Sequence, residues 1–282
     1  MLAASLWDPS VRQFVGLLTV ADFIDILRYY RKARLDVGQL SSKSISDILC
    51  DPNTCKLLKH GNRFLGADAT ASLYNACELL HTNNVDFLPI LLPDDMRVLS
   101  TVTYTHVLEH LVTHFREQRR LFDDSVYDLG IGTYTNVITV QPHQTLSECL
   151  HLMDIHNLSA VPVVDARGAV MDVYSRSDIT FLAKASDAQD AIKNLDLTLG
   201  DVLSQQRHDV TTPDRLHTCR PEHTLQSIFE YFAQLKFNRL IVTNEQQCVV
   251  GVVSARDLVG YFLDNPIDDT DRDDSLDDTS PQ

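Results

Sequence analysis

The sequence predicts an α+β protein built from copies of one strand–helix–strand–strand–helix unit, with the first copy incomplete. Three observations carry that expectation. First, "TVQPHQTLSECLHLM" (139–153) aligns with "TCRPEHTLQSIFEYF" (218–232), sharing a proline and a Thr-Leu pair at the same offset. "GADATASLYNACELL" (66–80) is a third copy, with alanine in place of the proline. Second, each stretch leads into two short apolar runs around a turn: "FLPILL" and "VLSTVT", "AVPVVD" and "VMDVYS", "RLIVTN" and "VVGVVS". Third, a Ser or Thr ends the second run and opens a helix. Recurrence at this spacing marks a repeat architecture whose units cover one another's sheet faces, here expected to pair sheet to sheet.

The elements then follow in order. "SLWDPSVRQFVGLLTVADFIDILRYY" (5–30) reads as two strands around an Asp-Pro turn and a closing helix. Its opening strand and helix are missing, so 1–35 is a partial repeat one, with a short isoform and an incomplete chain both open. It is expected to be less stable than the rest, because part of its core lacks a partner. Residues 36–62, rich in Ser, Asp and Lys, form a surface linker longer than most connections. Repeats two, three and four occupy 63–120, 128–195 and 200–264. In each, Thr or Ser caps an amphipathic helix, with Leu146, Cys149, Leu150 and Met153 on one apolar face and Leu225, Ile228, Phe229 and Phe232 on another. Closing helices are expected at 178–185 and 257–263.

Composition excludes several classes. A net charge of −15 argues against a broad nucleic-acid or anionic-membrane surface, so neither partner is expected. The last residues from Asp264 hold eight acids and one arginine, which makes 265–282 an acidic tail expected to be disordered. Six cysteines without a C-x-x-C pair imply reduced thiols and a cytoplasmic protein, nuclear as well in the broader reading. No signal-peptide pattern or membrane-length apolar run is present.

One four-residue pattern is the candidate site. Thr19-Val20-Ala21-Asp22, Ser175-Arg176-Ser177-Asp178 and Ser254-Ala255-Arg256-Asp257 stand at one structural position, and Thr103-Tyr104-Thr105-His106 has His where the others have Asp. Ser/Thr-x-x-acid at a helix start is a capping box, worth about 1 kcal/mol. Capping alone would accept Glu or Gln, whereas a short carboxylate one turn into the helix suits the two hydroxyls of a ribose. The hydroxyl and free N–H groups of the helix start suit a phosphate.

This arrangement resembles tandem cystathionine-β-synthase (CBS) domains, which pair into Bateman modules and bind adenine nucleotides in the clefts. "LWDPSVRQFVGLLTVADFIDIL", "LGIGTYTNVITV" (129–140) and "SAVPVVDARGAVMDVYSRSDITFLA" (159–183) are similar to the gamma regulatory subunit of AMP-activated protein kinase, over roughly 1–263. The resemblance implies a pseudo-fourfold disc of repeats. It implies AMP, ADP or ATP as regulatory ligands, and a catalytic alpha and a scaffolding beta subunit as partners. Carried over by position, it assigns ribose contacts to Asp22, Asp178 and Asp257, with Thr19 and Ser175 at the matching hydroxyl positions. Thr133 and Ser159 line the cleft of repeats three and four, Ser254 lies near phosphate, and His106 marks an empty repeat.

The cations depart from the family. His-Arg before the second repeat's strand is Asp86-Phe87 here, the fourth repeat has Asn238-Arg239, an expected Lys is Thr105, and an expected Arg falls on Leu2. Only Arg239 remains, and losing three charge-assisted bonds of about 1.5–3 kcal/mol each weakens phosphate binding strongly. Arg176, Arg256 and Lys184 are expected on solvated helix faces, with nothing aiming them at the cleft.

Catalysis is not expected. No G-x-x-x-x-G-K-[ST], H-R-D or D-F-G string occurs, and "GIG" (130–132) is a turn rather than a dinucleotide fingerprint. His106, His110 and His114 share a helix face, but no carboxylate–histidine signature accompanies them and no metal is expected. The leading expectation is a non-catalytic, nucleotide-binding regulatory subunit. The alternatives are a structural assembly subunit with decayed sensing and a CBS module regulating another enzyme or a transporter.

Overall fold

The computed structural model describes residues 3–58, 63–94, 97–114, 123–179, 188–207, 216–235 and 237–265. Leu2, Lys184, most of the helix expected at 178–185 and the acidic tail lie outside them.

Each repeat is organised around one antiparallel hairpin. In repeat one, β1 (Ala3–Asp8) and β2 (Gln13–Thr19) lead into α1 (Val20–Lys32). The Asp8 carboxylate accepts from the Ser10 N–H and fixes the Asp-Pro turn. Two short helices follow, α2 (Ile45–Cys50) and α3 (Pro52–Cys55), after a 3-10 turn at Val37–Ser42. This segment is more than a surface linker. Ile48 and Leu58 are buried with Leu18, Ile26 and Tyr30, so it supplies α1 with a core of its own.

Repeat two runs β3 (Ala67–Asp68), α4 (Leu73–Thr82), β4 (Phe87–Leu91), β5 (Val98–Thr103) and α5 (Tyr104–His114). Repeat three has α6 (Leu146–Ile155), β6 (Ala160–Val164), β7 (Val170–Ser175) and a 3-10 turn at Arg176–Ile179. Two further helices, α7 (Ala188–Asn194) and α8 (Leu199–Arg207), precede repeat four. Leu199, Val202 and Leu203 of α8 are buried in the core of repeat three, although the sequence pattern assigns 200–207 to repeat four. Repeat four contains β8 (Thr218–Cys219), α9 (Leu225–Leu235), β9 (Arg239–Thr243), β10 (Val249–Ser254) and α10 (Ala255–Asp264). The opening strands β3 and β8 are two residues long and pair in parallel with β4 and β9.

The hairpin registers are equivalent. Ala3 faces Thr19, Phe87 faces Thr103, Ala160 faces Ser175 and Arg239 faces Ser254, and every hairpin carries one irregularity. A register shift of one residue would turn each apolar face outward, so this recurrence places the residue opposite each Ser or Thr by the pattern alone.

The repeats close into a ring. Repeats three and four join at their hairpin turns, where the Val170 N–H donates to Gln247 O at 2.9 Å and the Val249 N–H to Gly168 O at 3.1 Å. Helices rather than sheet faces make the junction of repeats two and four: α5 packs on α9, and α10 on α4 and α5. The resulting core holds Leu80, Leu88, Val107, Leu108, Ile228, Phe232, Leu240 and Leu258. Repeat one touches repeat two through stacked Phe14 and Phe64 rings at 4.8 Å. It touches repeat three through α1, whose Ile24 is buried in the repeat-three core.

An ion network seals that last junction. Arg28 of α1 bonds Asp25 at 3.2 Å and also reaches Asp154 of α6; Arg176 bonds Asp154 and lies 3.7 Å from Asp25. Arg31 bonds Asp196. Arg176 is therefore not on a solvated face: its side chain is 15% exposed and it also donates to Leu158 O. Arg256 is likewise committed, donating to His81 O across the repeat two–four junction.

All six cysteines are free, with Cys77, Cys149 and Cys219 buried. Burial pushes the Cys149 and Cys219 thiols up to about 12, so both are neutral packing groups. Among the described residues no helix is long and apolar enough to cross a membrane.

Candidate functional site

The Ser/Thr-x-x-Asp pattern folds as a cap in every repeat that carries it. In α1 the Thr19 hydroxyl accepts from the Asp22 N–H at 3.2 Å and donates to Asp22 Oδ2 at 2.6 Å. That same oxygen accepts from the Thr19 N–H at 2.6 Å. In α10 Ser254 and Asp257 repeat the arrangement at 2.7–3.3 Å. In repeat three the Ser175 N–H donates to Asp178 Oδ2 at 2.7 Å. In repeat two the His106 N–H still reaches the Thr103 hydroxyl at 3.4 Å, but His106 is exposed and Thr103 turns to Thr105 instead.

Capping by aspartate is not confined to these positions. Ser44 and Asp47 form the same box at the start of α2, and Thr145 and Glu148 form one in α6. Burial separates the two groups. Asp47 and Glu148 are exposed, whereas Asp22 and Asp178 are 3% and 9% exposed and Asp257 is half-buried. Burying a carboxylate costs free energy unless it is hydrogen-bonded, and the cap supplies bonds to only one of the two oxygens. Oδ2 is spent on the cap. Among the described residues, Oδ1 of Asp22 and Oδ1 of Asp257 have no hydrogen-bond partner, which leaves them as acceptors. The Thr19 and Ser254 hydroxyls already donate to those carboxylates, so a phosphate would compete for their protons.

Tertiary structure groups the candidate residues unequally. Arg239, at the start of β9, donates to the Ser159 hydroxyl of repeat three at 3.2 Å. Arg239 is half-buried; burial lowers its pKa, against the opposing charges of Asp86 and then Asp178. Ser159, Ser175, Asp178 and Arg239 thus form one cluster. Thr133 belongs to the repeat-four side: it exchanges backbone bonds of 2.8 and 2.9 Å with Val252, two residues before Ser254. Thr19 and Asp22 stand by themselves in repeat one. Asp86, which the sequence shows as an acid where the related family has a cation, stands immediately before β4, as Ser159 does before β6.

Gly132 holds Thr133 where it is. Its φ is +111°, and a Cβ there would lie 2.7 Å from Val252 O. Gly132→Ala is expected to cost about 1–3 kcal/mol in urea unfolding, and an unchanged midpoint would show that the segment relaxes freely.

Tyr104, buried at the repeat two–four junction, has a hydroxyl without a hydrogen-bond partner among the described residues. Burial pushes its phenol far up, so it stays protonated. An open cleft of about 720 Å³ lies at the other end of the repeat-four hairpin, lined by Tyr127, Tyr134, Arg220, Glu222 and Thr243 among others. It includes none of the nine candidate residues. His110 and His114 stack at 4.2 Å, and no metal-ligating group of three occurs among the described residues.

The CBS-domain family model matches residues 127–184 and 207–264. Those two stretches are similar to CBS domains. The chain is 28% identical over 266 residues to the 5'-AMP-activated protein kinase subunit gamma of Dictyostelium discoideum, covering 93% of the chain and 46% of the relative. It is 28% identical over 269 residues to human subunit gamma-3, covering 94% of the chain and 52% of that relative. It therefore spans about half the length of these curated relatives. Its fold is similar to that of a Methanocaldococcus jannaschii protein proposed as an archaeal homologue of the kinase gamma subunit. The TM-score is 0.66 at 16% identity, over 93% of this chain and 88% of that one.

Proposed function

We propose that this chain is a non-catalytic, gamma-type regulatory subunit of an AMP-activated protein kinase complex. It binds AMP, ADP or ATP between its CBS repeats and passes the difference to a catalytic alpha and a scaffolding beta subunit. One observation carries the reading: the same capped carboxylate, buried or half-buried, recurs as Asp22, Asp178 and Asp257, unlike the exposed caps elsewhere in the chain. Regulation further requires that AMP and ATP bind the two conformations of the complex with different affinity, since equal affinity shifts nothing.

A second reading, a structural assembly subunit with weakened sensing, is favoured by the cations. Arg176 and Arg256 are committed to repeat junctions, and Arg239 already donates to Ser159.

Isothermal titration of AMP and ATP into the purified chain separates these. Asp178→Ala and Asp257→Ala are each expected to weaken AMP binding by about tenfold or more, the loss of a charged acceptor. Thermal melts of the same variants report the cap, worth about 1 kcal/mol. No heat from either nucleotide would leave the carboxylates as caps and the chain as a scaffold. Co-purification with alpha and beta subunits distinguishes both readings from a CBS module of another enzyme or transporter.

A further inference from the structure

The open cleft at the turn end of the repeat-four hairpin is built from two parts of the chain. Tyr127 and Tyr134 come from the segment that leads into repeat three, and Arg220, Glu222, Thr243 and Glu245 from repeat four. Backbone bonds hold the two sides together. Thr133 exchanges bonds with Val252, and the Val126 N–H donates to His223 O at 3.2 Å. Tyr134 is fixed in place: its hydroxyl donates to Ile131 O at 3.0 Å, and its ring lies against Gly251, where a Cβ would meet it at 2.5 Å. Tyr127 meets that ring edge to face, 4.9 Å between centroids, and is itself 54% exposed. The pair forms an aromatic wall with surface left for an apolar group.

The polar groups of the cleft are unspent. Thr243 is 1% exposed and lines the cleft, and its hydroxyl has no hydrogen-bond partner among the described residues. Burying such a hydroxyl costs free energy that a bound partner would recover. Arg220 is half-buried, while Glu222 and Glu245 are exposed. None of these three side chains makes an ion pair among the described residues. A lone anion would meet two carboxylates here, and a lone cation would meet a guanidinium. A ligand carrying both charges satisfies both.

We propose that this cleft is a ligand site separate from the nucleotide candidates, and that it takes a zwitterion with an aromatic side chain, a free amino acid or a short peptide. Arg220 and the Thr243 hydroxyl donate to its carboxylate, Glu222 and Glu245 accept from its ammonium group, and its ring packs on Tyr127. A cleft of this size holds such a ligand, with an apolar wall for bulk and a few polar groups for orientation. None of these residues belongs to a Ser/Thr-x-x-Asp position, so the site stands whether or not nucleotides bind.

The test is calorimetric titration of L-phenylalanine and the dipeptide Phe-Phe into the whole chain. Beside them run phenethylamine, which lacks the carboxylate, and 3-phenylpropanoate, which lacks the ammonium group. At least one zwitterion is expected to bind about tenfold or more tighter than either single-charge analogue. The tighter of the two zwitterions tells a free amino acid from a peptide. Arg220→Gln is expected to erase the advantage over phenethylamine, and Glu222→Gln/Glu245→Gln the advantage over 3-phenylpropanoate. Each variant keeps the other advantage, which a misfolded sample would not do. Binding of neither zwitterion, or equal binding of all four ligands, overturns the proposal. So does an equal loss of the zwitterion and of phenethylamine in Arg220→Gln.

Discussion

Phe232→Ala is expected to lower stability by about 3–5 kcal/mol, the cost of a large buried aromatic replaced by a methyl group. Phe232 has no exposed surface, packs against Phe237 at 4.8 Å between ring centroids and lies in the core shared by repeats two and four. Because α9 packs on α5, the cavity opens at a junction between repeats and not inside one of them. The loss is therefore expected to spread. Amide exchange should accelerate in α5 of repeat two as well as in α9, and the melting temperature should fall by about 10 °C. Phe232→Leu, which keeps most of the volume, should cost about 1–2 kcal/mol. Faster exchange confined to α9 would mean that the repeats unfold separately, and the shared core would then have no energetic meaning.

Asp154→Ala is expected to cost about 2 kcal/mol, lowering the melting temperature by roughly 4–8 °C. Removing one partner of a fully buried ion pair costs more, but Asp154 is 34% exposed and Asp25 remains to both arginines. The two carboxylates have opposite signs. Burial, then repulsion from Asp154, raises the Asp25 pKa against the pull of Arg176 and Arg28. For Asp154, burial works upward but the bonds from Arg28 and Arg176 outweigh it and leave the value lowered. A lowered value contributes stability above the unfolded pKa that is lost as pH falls through the folded one. A raised value contributes below the unfolded pKa and is lost as pH rises through the folded one. Near pH 7 Asp25→Asn should thus leave stability unchanged or higher, while Asp154→Ala lowers it. Thermal melts near pH 7 and near pH 4 check both, and a greater loss at neutral pH from Asp25→Asn than from Asp154→Ala would reverse the assignment.

Much of this protein is written in local pattern. The apolar spacing of Leu225, Ile228, Phe229 and Phe232 dictates one buried helix face, and the alternating runs before Thr103, Ser175 and Ser254 dictate strands whose register follows from the turn between them. The caps were legible for the same reason, since a hydroxyl and the acid three residues on are neighbours by helical geometry alone. Interactions within a dozen residues need no knowledge of the rest of the chain.

What tertiary structure decided lies between repeats. Arg176 has the spacing of an exposed helix residue, yet it is half-buried against Asp154 and Asp25, because α1 arrives from more than a hundred residues away to cover it. The 36–62 segment has a linker's composition, but Ile48 and Leu58 find a cover in α1. Ser159 and Arg239 look unrelated along the chain and bond only because repeats three and four join at their hairpins. By itself the sequence determined the repeat, its hairpins and its caps, which are set by periodicity and short-range bonding. Only the closed ring decided which charges face one another, since an ion pair depends on distance in space and leaves no period in the sequence.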